Sequence, residues 1–386
     1  MSLHPALQSL QRGRWFKLIC GASFQHLPSL RELALVYGLA GVDCIDMAAD
    51  PAVVAAVRAG LDAAAVLEPG LVRPLLMVSL NDGEDPHFRK AAFDPRRCPA
   101  DCPRPCEAIC PAQAIALPPD LQTATAGVIE RRCYGCGRCW PVCPVENITA
   151  RSYVSAPAVA MEMAIAAGID ALEIHTQVGH FQDFQRLWQQ ISPWLDQLKL
   201  VSISCPGSDG PKGETLEQYL PRLAALVKLP AKALIWQTDG RPMSGDIGAG
   251  TTQAAIQLAQ RVLALELPGH VQLAGGTNGS TLSKLDALGL LKAIPGSQAR
   301  TVAGVAYGSY GRSLLNPMLQ QLETASGRSA SGRSASGHLA SGLPVSGPLS
   351  ASHLEDHPGL LAAALAEVQA LLAPLRSASP ARPGRR

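Results

Sequence analysis

Eleven cysteines occur in the chain, and eight of them lie between Cys98 and Cys143 in two groups of four. The second group reads Cys133-x2-Cys136-x2-Cys139-x3-Cys143-Pro144. That is the bacterial-ferredoxin run, in which three closely spaced thiolates hold one iron–sulfur cubane and the fourth reaches across to another. The first group, Cys98-x3-Cys102-x3-Cys106-x3-Cys110-Pro111, is a loosened version of it. Both end alike, in Cys110-Pro-Ala-Gln-Ala-Ile115 and Cys143-Pro-Val-Glu-Asn-Ile148. A repeated Cys-Pro-x-x-x-Ile suits a pseudo-twofold ferredoxin module: the proline turns the chain away from the cluster and the isoleucine packs under it.

In a ferredoxin arrangement the ligands cross over. Cys98, Cys102 and Cys106 with Cys143 would bind cluster one; Cys133, Cys136 and Cys139 with Cys110 would bind cluster two. Both would be 4Fe-4S clusters. The extra residue between ligands in the first run changes the loop around cluster one, so a 3Fe-4S form is expected to be accessible there. Two full cubanes per chain that survive mild oxidation would overturn that expectation. Zinc also takes four thiolates, often as C-x2-C pairs, but does not explain an x2-x2-x3 run ending in proline. Disulfides suit a secreted chain, and nothing here suggests secretion.

The rest of the chain must position this module. Its 386 residues suffice for a full core in one large domain or two ordinary ones. Hydrophobic residues make up 47% and aromatics only 4%, so Ala, Leu, Gly and Val must fill the interior. A net charge of +2 gives no broad electrostatic case for nucleic acid or an anionic membrane. The N-terminus lacks the apolar stretch of a signal peptide, and no uncharged apolar run reaches the ~18 residues of a membrane span. Clustered thiolates and three further cysteines fit a reducing cytoplasm.

From Trp15 onward, strand and helix patterns alternate. Strands are expected at Phe16–Ser23, Asp43–Met47, Pro74–Leu80, Ala171–His175, Leu200–Ser204, Ala233–Gln237, Val271–Ala274 and Thr301–Ala306. Helices are expected at Pro28–Ala40, Pro51–Ala59, Ala156–Ala167 behind a Ser155 cap, Phe181–Leu198, Thr215–Leu229, Thr251–Leu265, Thr281–Leu290 and Arg312–Leu322. An internal echo, Ala40-Gly-Val-Asp43, Ala167-Gly-Ile-Asp170 and partly Ala59-Gly-Leu-Asp62, reads as a helix-capping glycine feeding the next strand. Eight strands alternating with helices imply an α/β fold, a (β/α)8 TIM-like barrel with an inserted α+β two-cluster ferredoxin-like module. An open doubly wound sheet gives the same local pattern; strand count and the lack of an early G-x-G-x-x-G favour the barrel.

The expected divisions are a first barrel part at 14–83, the iron–sulfur module at 84–151 and a second barrel part at 152–323. A Ser/Gly-rich flexible linker at 324–353, a C-terminal helix closing the barrel at 354–376 and a disordered tail at 377–386 follow. The module thus enters as a βα-loop after the third strand, on the face where barrel active sites lie. The alternative is a ferredoxin domain tethered at the side.

Outside the cysteines, the seventh and eighth strands lead into glycine-rich loops. Gly275, Gly276, Thr277 and Asn278 follow one; Gly308, Ser309, Gly311 and Arg312 follow the other. Barrels often hold phosphate there on backbone N–H groups, which makes FMN or another phosphate-bearing ligand a candidate cofactor. Turn geometry alone also explains such glycines. His175 and Asp239 are placed at the barrel mouth, with no triad or H-E-x-x-H to make them catalytic. Cys205 lies after the fifth strand, and a buried inert thiol is the plain reading; Cys20 and Cys44 read as core.

The chain resembles the cyanobacterial light-dependent period (LdpA) family. The likeness is carried by Trp15-Phe-Lys-Leu-Ile-Cys-Gly-Ala-Ser23, Phe88-Arg-Lys-Ala-Ala-Phe-Asp-Pro95, Cys98-Pro-x-Asp-Cys-Pro-Arg-Pro-Cys106 and Arg132-Cys-Tyr-Gly-Cys-Gly-Arg-Cys139. It runs from about residue 14 to 322 and through the last helix, while the Ser/Gly-rich linker looks like an insertion peculiar to this chain. The resemblance implies an iron–sulfur protein that feeds cellular redox state, and so light input, into the circadian clock through contacts with clock proteins. Three readings stand: a redox sensor, which we favour; a flavin enzyme exchanging electrons between FMN, two clusters and a small-molecule redox partner; and a plain electron carrier, which would not need a barrel. Ferredoxin-bearing flavin barrels such as dihydropyrimidine dehydrogenase are an analogy of architecture only.

Overall fold

Eight apolar segments become the staves of a closed parallel barrel. They are β1 (Trp15–Ile19), β2 (Cys44–Ala48), β3 (Leu75–Asn81), β8 (Ala171–His175), β9 (Leu200–Pro206), β10 (Leu234–Asp239), β11 (His270–Ala274) and β12 (Gly304–Tyr307). They pair in sequence order around the ring, β12 closing on β1 with Trp15 opposite Gly304. The computed structural model describes residues 3–83, 88–110, 112–117, 126–133, 135–152, 156–208, 210, 213–230, 233–240, 248, 250–291, 300–325 and 352–376. The expected linker lies outside the described residues from 326 to 351, as do Ser155 and the 377–386 tail.

The barrel expected from strand count is the one observed, and the open sheet is excluded by the β1–β12 pairing. Gly304 is required there: a Cβ on it would stand 1.9 Å from the Trp15 carbonyl oxygen. Helices α2 (Leu27–Leu39), α3 (Pro51–Leu67), α5 (Pro157–Ala166), α6 (Phe181–Ile191), α7 (Leu216–Val227), α8 (Thr251–Ala264), α9 (Thr281–Ala287) and α10 (Ser309–Ala325) surround it. Their buried faces and the outward strand positions share one continuous apolar core. On α6, Phe184, Leu187, Trp188 and Ile191 recur at helical spacing and are all buried, each worth roughly 1.5–3 kcal/mol. Pro193 then lacks an amide hydrogen, and the helix expected to reach Leu198 changes to a 3-10 turn at Ser192–Gln197.

A further element differs from expectation for an instructive reason. The helix expected over Pro51–Ala59 continues to Leu67, so Gly60 is inside α3 rather than capping it. Gly41 and Gly168 do cap, at φ of 74° and 77°. A Cβ on Gly60 would meet the Arg31 carbonyl oxygen at 2.1 Å, so this glycine serves the close crossing of α2 and α3.

The barrel's lower end is stoppered by α1 (Pro5–Gln11), whose Ala6, Leu7 and Leu10 pack with Trp15, Cys44, Leu75 and Met77. At the other end, the cysteine module occupies the β3-to-α5 connection. It contains two short antiparallel ladders, β4 (Arg89–Ala92) with β7 (Thr149–Ser152) and β5 (Ile115–Ala116) with β6 (Gly127–Val128), plus the one-turn helix α4 (Pro105–Ile109). Finally α11 (Pro358–Arg376) packs Ala364, Val368, Leu371, Leu372 and Leu375 inward, against neighbours that include α2 and α10. Arg376 there donates to the carbonyls of Ala40 and Gly41. Among the described residues α11 alone is long and apolar enough to cross a membrane.

Candidate metal centre

The two cysteine runs fold as near copies. In each, the residue three after the last cysteine takes the left-handed conformation without being glycine: Gln113 at φ 47° and Glu146 at φ 49°. In each, that residue's amide donates to the cysteine carbonyl, at 3.1 Å in Gln113 to Cys110 and 3.2 Å in Glu146 to Cys143. In each, the next amide donates to the cysteine sulfur, at 3.2 Å from Ala114 to Cys110 Sγ and 3.3 Å from Asn147 to Cys143 Sγ. Ile115 and Ile148 then turn into the module's small apolar core. The shared Cys-Pro-x-x-x-Ile string therefore encodes a sulfur-cradling turn.

The loosened first run is accommodated by a local device. Arg104 adopts φ 55° just before α4, and α4 carries Cys106 inward. The Arg104 guanidinium donates to the Leu117 carbonyl, tying the run to the end of β5. In the second run the compression comes from Gly135 and Gly137, at φ 71° and 74°.

The thiols group across the two runs. Cys110, Cys133, Cys136 and Cys139 line one cavity, together with small residues such as Ala112, Ala114, Gly135 and Gly137 and with Ile115, Val128 and Arg138. Burial pushes the Cys139 thiol up to about 12, and the neighbouring Cys136, Cys133 and Cys110 add to the shift. In the other set, burial raises the Cys106 thiol, and Cys143 and Cys98 raise it further. Cys143 itself is held below the ordinary thiol range: burial raises it, but the N–H groups of Val145, Asn147, Ile148 and Glu146 outweigh that. A sulfur so surrounded is prepared to carry negative charge, which a metal-bound thiolate needs. The Asn147 side chain adds a long contact to Cys98 Sγ at 3.9 Å. Among the described residues no three His, Cys, Asp or Glu side chains close around a single metal ion.

The module is docked, not merely tethered. The Gln25 amide, in the β1–α2 connection, donates to Arg131 O at 3.0 Å. Buried Lys90 donates to Gln25 Oε1 and Glu130 O, both at 2.8 Å. Burial lowers the Lys90 ammonium, while the Cys133 charge beside it pulls the other way. Phe88 meets His175 edge-to-face at 5.4 Å, and Arg132 pairs with Glu323 of α10 at 3.6 Å.

The glycine-rich loops divide. Thr277 donates to Ala306 O, and Asn278 bonds Gly248, Thr251, Thr252, Ser280 and Thr281, so both side chains tie loops together. Gly275 and Gly276 have φ of 58° and 95°, and Gly276 O accepts from Thr251 and Thr252. Gly311 O accepts from Tyr37, Gly308 O accepts the Arg312 amide, and Arg312 donates to Ile19 O and Ser309 Oγ. Ser309 and Arg312 line a second cavity, between barrel and module; the other six of these residues do not.

Sequence reasoning missed what fills the barrel. Lys17, Asp46, Ser79, Glu173, Gln237 and Gln272 point inward and are fully or almost fully buried. Lys17 pairs with Glu173; Gln237 donates to Glu173 at 2.7 Å, Gln272 to Gln237 at 2.6 Å, and the Trp15 indole to Gln272. His175 lies 3.2 Å from Glu173, and Asp239 accepts from Ser204. Burial raises Glu173, yet Lys17 and His175 hold it well below the ordinary carboxylate range. Burial and the Glu173 charge instead push Asp46 up to about 7. One charge inside each otherwise apolar strand, as in Phe-Lys-Leu-Ile, Cys-Ile-Asp-Met and Ala-Leu-Glu-Ile, was the available signal. Cys20, Cys44 and Cys205 are buried, and burial raises all three thiols, Cys20 to about 12.

With that geometry in hand, the chain can be compared with known proteins. The profile of the Light dependent period A C-terminal domain matches residues 163–374, and that of the LdpA Fe-S cluster-binding domain matches residues 98–154. The chain belongs to the Light dependent period A family. Light dependent period A of Synechococcus elongatus is 50% identical over 378 residues, covering 98% of this chain and 96% of that one. As an LdpA-family Fe-S cluster-binding domain, the module has an iron–sulfur cofactor, in accord with its cysteine pattern. Solved structures are far more distant. The homocysteine methyltransferase of Escherichia coli gives a TM-score of 0.41 at 15% identity, over 80% of this chain and 96% of that one. Histamine dehydrogenase from Rhizobium sp. 4-9 gives 0.36 at 10% identity, over 82% and 42%. Neither bears on chemistry.

Proposed function

We propose that this LdpA-family protein is a cytoplasmic redox sensor that relays cellular redox state, as light input, to the circadian clock through contacts with clock proteins. Cys98, Cys102, Cys106 and Cys143 would hold one 4Fe-4S cluster, and Cys110, Cys133, Cys136 and Cys139 the other. The cavity bounded by Cys110 together with the three cysteines of the following run carries the crossed assignment. Such clusters supply one-electron exchange when bound. The chain's part is to cradle the sulfurs with backbone N–H groups and to join the module to the barrel through polar contacts that respond to charge. Lys90, bonded to Gln25 and close to Cys133, is central among them. A change of charge at the sulfurs alters what those contacts are worth, and so the surface the protein presents.

Crossing makes the assignment testable. Cys143→Ser should lower iron and sulfide at the centre formed with the first run, and Cys110→Ser at the centre formed with the second. Iron and sulfide assays with electron paramagnetic resonance on anaerobically purified protein distinguish them; loss following the run in which the cysteine sits would overturn the crossing. Cys102→Ser or Cys106→Ser should change the light dependence of a rhythmic reporter while barrel ellipticity is kept. A normal light response in both variants would sink the sensor reading. The same purified sample, denatured and examined for flavin fluorescence, decides the enzyme alternative: stoichiometric FMN would put it first.

A further inference from the structure

The cavity between barrel and module, about 90 Å³, has walls from both partners. The barrel contributes Ser309, Arg312, Ser313 and Asn316 from α10, and the module contributes Arg132 and Arg138. Three arginines thus line one half-enclosed space. Among the described residues in its lining, three arginines stand against a single carboxylate, Glu323, at 3.6 Å from Arg132. Burial raises the worth of that imbalance, because like charges in a partly desolvated cleft repel and attract anions more than in water. The arginines are also held: Arg312 is buried and fixed by Ile19 O and Ser309 Oγ, and the Arg132 side chain is only 13% exposed. The Asn316 amide and the Ser309 hydroxyl stand beside them as neutral polar groups, while the Ser313 hydroxyl donates to Tyr310 O.

We propose that this cleft binds a small oxyanion with the chemistry of a phosphate group. Planar guanidinium forks match the geometry of tetrahedral oxyanions. The site differs from the glycine-loop site expected from sequence: it uses Ser309 and Arg312 but not the backbone of residues 275–278. It exists only when the module is docked. Gln113, the left-handed residue of the Cys110 turn, lines it too, and Arg138 lies between Cys136 and Cys139, so a bound anion would touch the cradle of the second cysteine set. The binding claim itself stands apart from the clock role.

Calorimetric titration of inorganic phosphate into the full-length, cluster-loaded protein, at fixed ionic strength in chloride, tests it. One saturable site per chain is expected, and Arg138→Gln and Arg132→Gln should each weaken it about tenfold. Because Arg132 also pairs with Glu323, Asn316→Asp is the second probe: it puts a negative charge into the cleft without removing a docking contact, and should weaken phosphate by a comparable factor. Absence of saturable heat, or affinity unchanged in Arg138→Gln and Asn316→Asp, would overturn the proposal. FMN titrated into the phosphate-saturated protein separates the two sources: competition identifies a phosphate ester, and its absence a free anion.

Discussion

The barrel and the cysteine module are built on opposite principles. The barrel encloses an apolar shell between strands and helices and, inside that, a polar chain running from Trp15 through Gln272 and Gln237 to Glu173 and Lys17. The members of that chain bond one another. Among the described residues the module has a core of eight buried residues, three of them cysteines, and ladders of two or four residues. Its polar groups are arranged around sulfur. One region is stabilised by its own side chains; the other is arranged to be stabilised by what the sulfurs hold.

The largest break in that comparison should come from removing iron. Chelation under reducing conditions is expected to expose 88–152 to proteolysis while far-ultraviolet ellipticity of the barrel persists. Cooperative loss of both would show that the barrel depends on the module. Next in size is the barrel's own weak point. Glu173→Ala leaves Lys17 as a buried cation without its partner and should cost about 3–5 kcal/mol in denaturant unfolding. Replacing Lys17 and Glu173 together by methionine and glutamine should cost much less; equal costs would mean that packing, not the charge pair, matters there.

How legible these regions were in the sequence follows from the same contrast. Cysteine spacing is local, so the turn at Cys143 could be read from Cys143-Pro-Val-Glu-Asn-Ile148 alone. The barrel was legible through alternation and strand count, because a parallel strand buried on both faces reads as a short apolar run. What closes it was not: Gly304 against Trp15 and Gly60 against Arg31 are contacts between segments distant in sequence or folded back on each other, and each looks like an ordinary glycine. The charged barrel interior was hidden because Lys17, Asp46 and Glu173 are costly singly and become tolerable only as a set. The cleft arginines were invisible as a group, since Arg132, Arg138 and Arg312 meet only after docking.

A smaller effect sharpens the barrel half. Asp46 titrates near 7 when folded and about 4 when unfolded, so between those values the unfolded chain has lost a proton that the folded one keeps. Stability should therefore fall as pH rises through that window and level off above it, Asp46 contributing a slope of at most about 1.4 kcal/mol per pH unit. Asp46→Asn should flatten this slope in urea unfolding monitored by tryptophan fluorescence. Glu173, held low, acts in the opposite sense and in a separate window, its contribution being lost as the medium becomes more acidic than its unfolded carboxylate. Asp43, which burial also pushes up to about 7, titrates in the same window and should carry the slope that remains; a slope that Asp46→Asn leaves unchanged would place the proton there instead.

The smallest effect tests whether the module's two halves are equivalent. Gln113 and Glu146 both sit in the left-handed region, where a side chain costs roughly 1–2 kcal/mol that glycine does not incur. Glycine returns part of that by loosening the unfolded chain, so Gln113→Gly and Glu146→Gly should each stabilise their turn by only about 0.5–1 kcal/mol. The readout is the rate at which a chelator strips iron from the loaded protein, which should slow in both variants. The two turns share their amide-to-sulfur bonds but not their surroundings: both residues are exposed, but Gln113 lines the cleft with Arg132 and Arg138 and Glu146 does not. Equal slowing would mean that the sulfur-cradling turn alone sets cluster retention. Slowing at Glu146 but not at Gln113 would mean that the Gln113 side chain contributes to the docked cleft, and that the barrel holds one half of the module more firmly than the other.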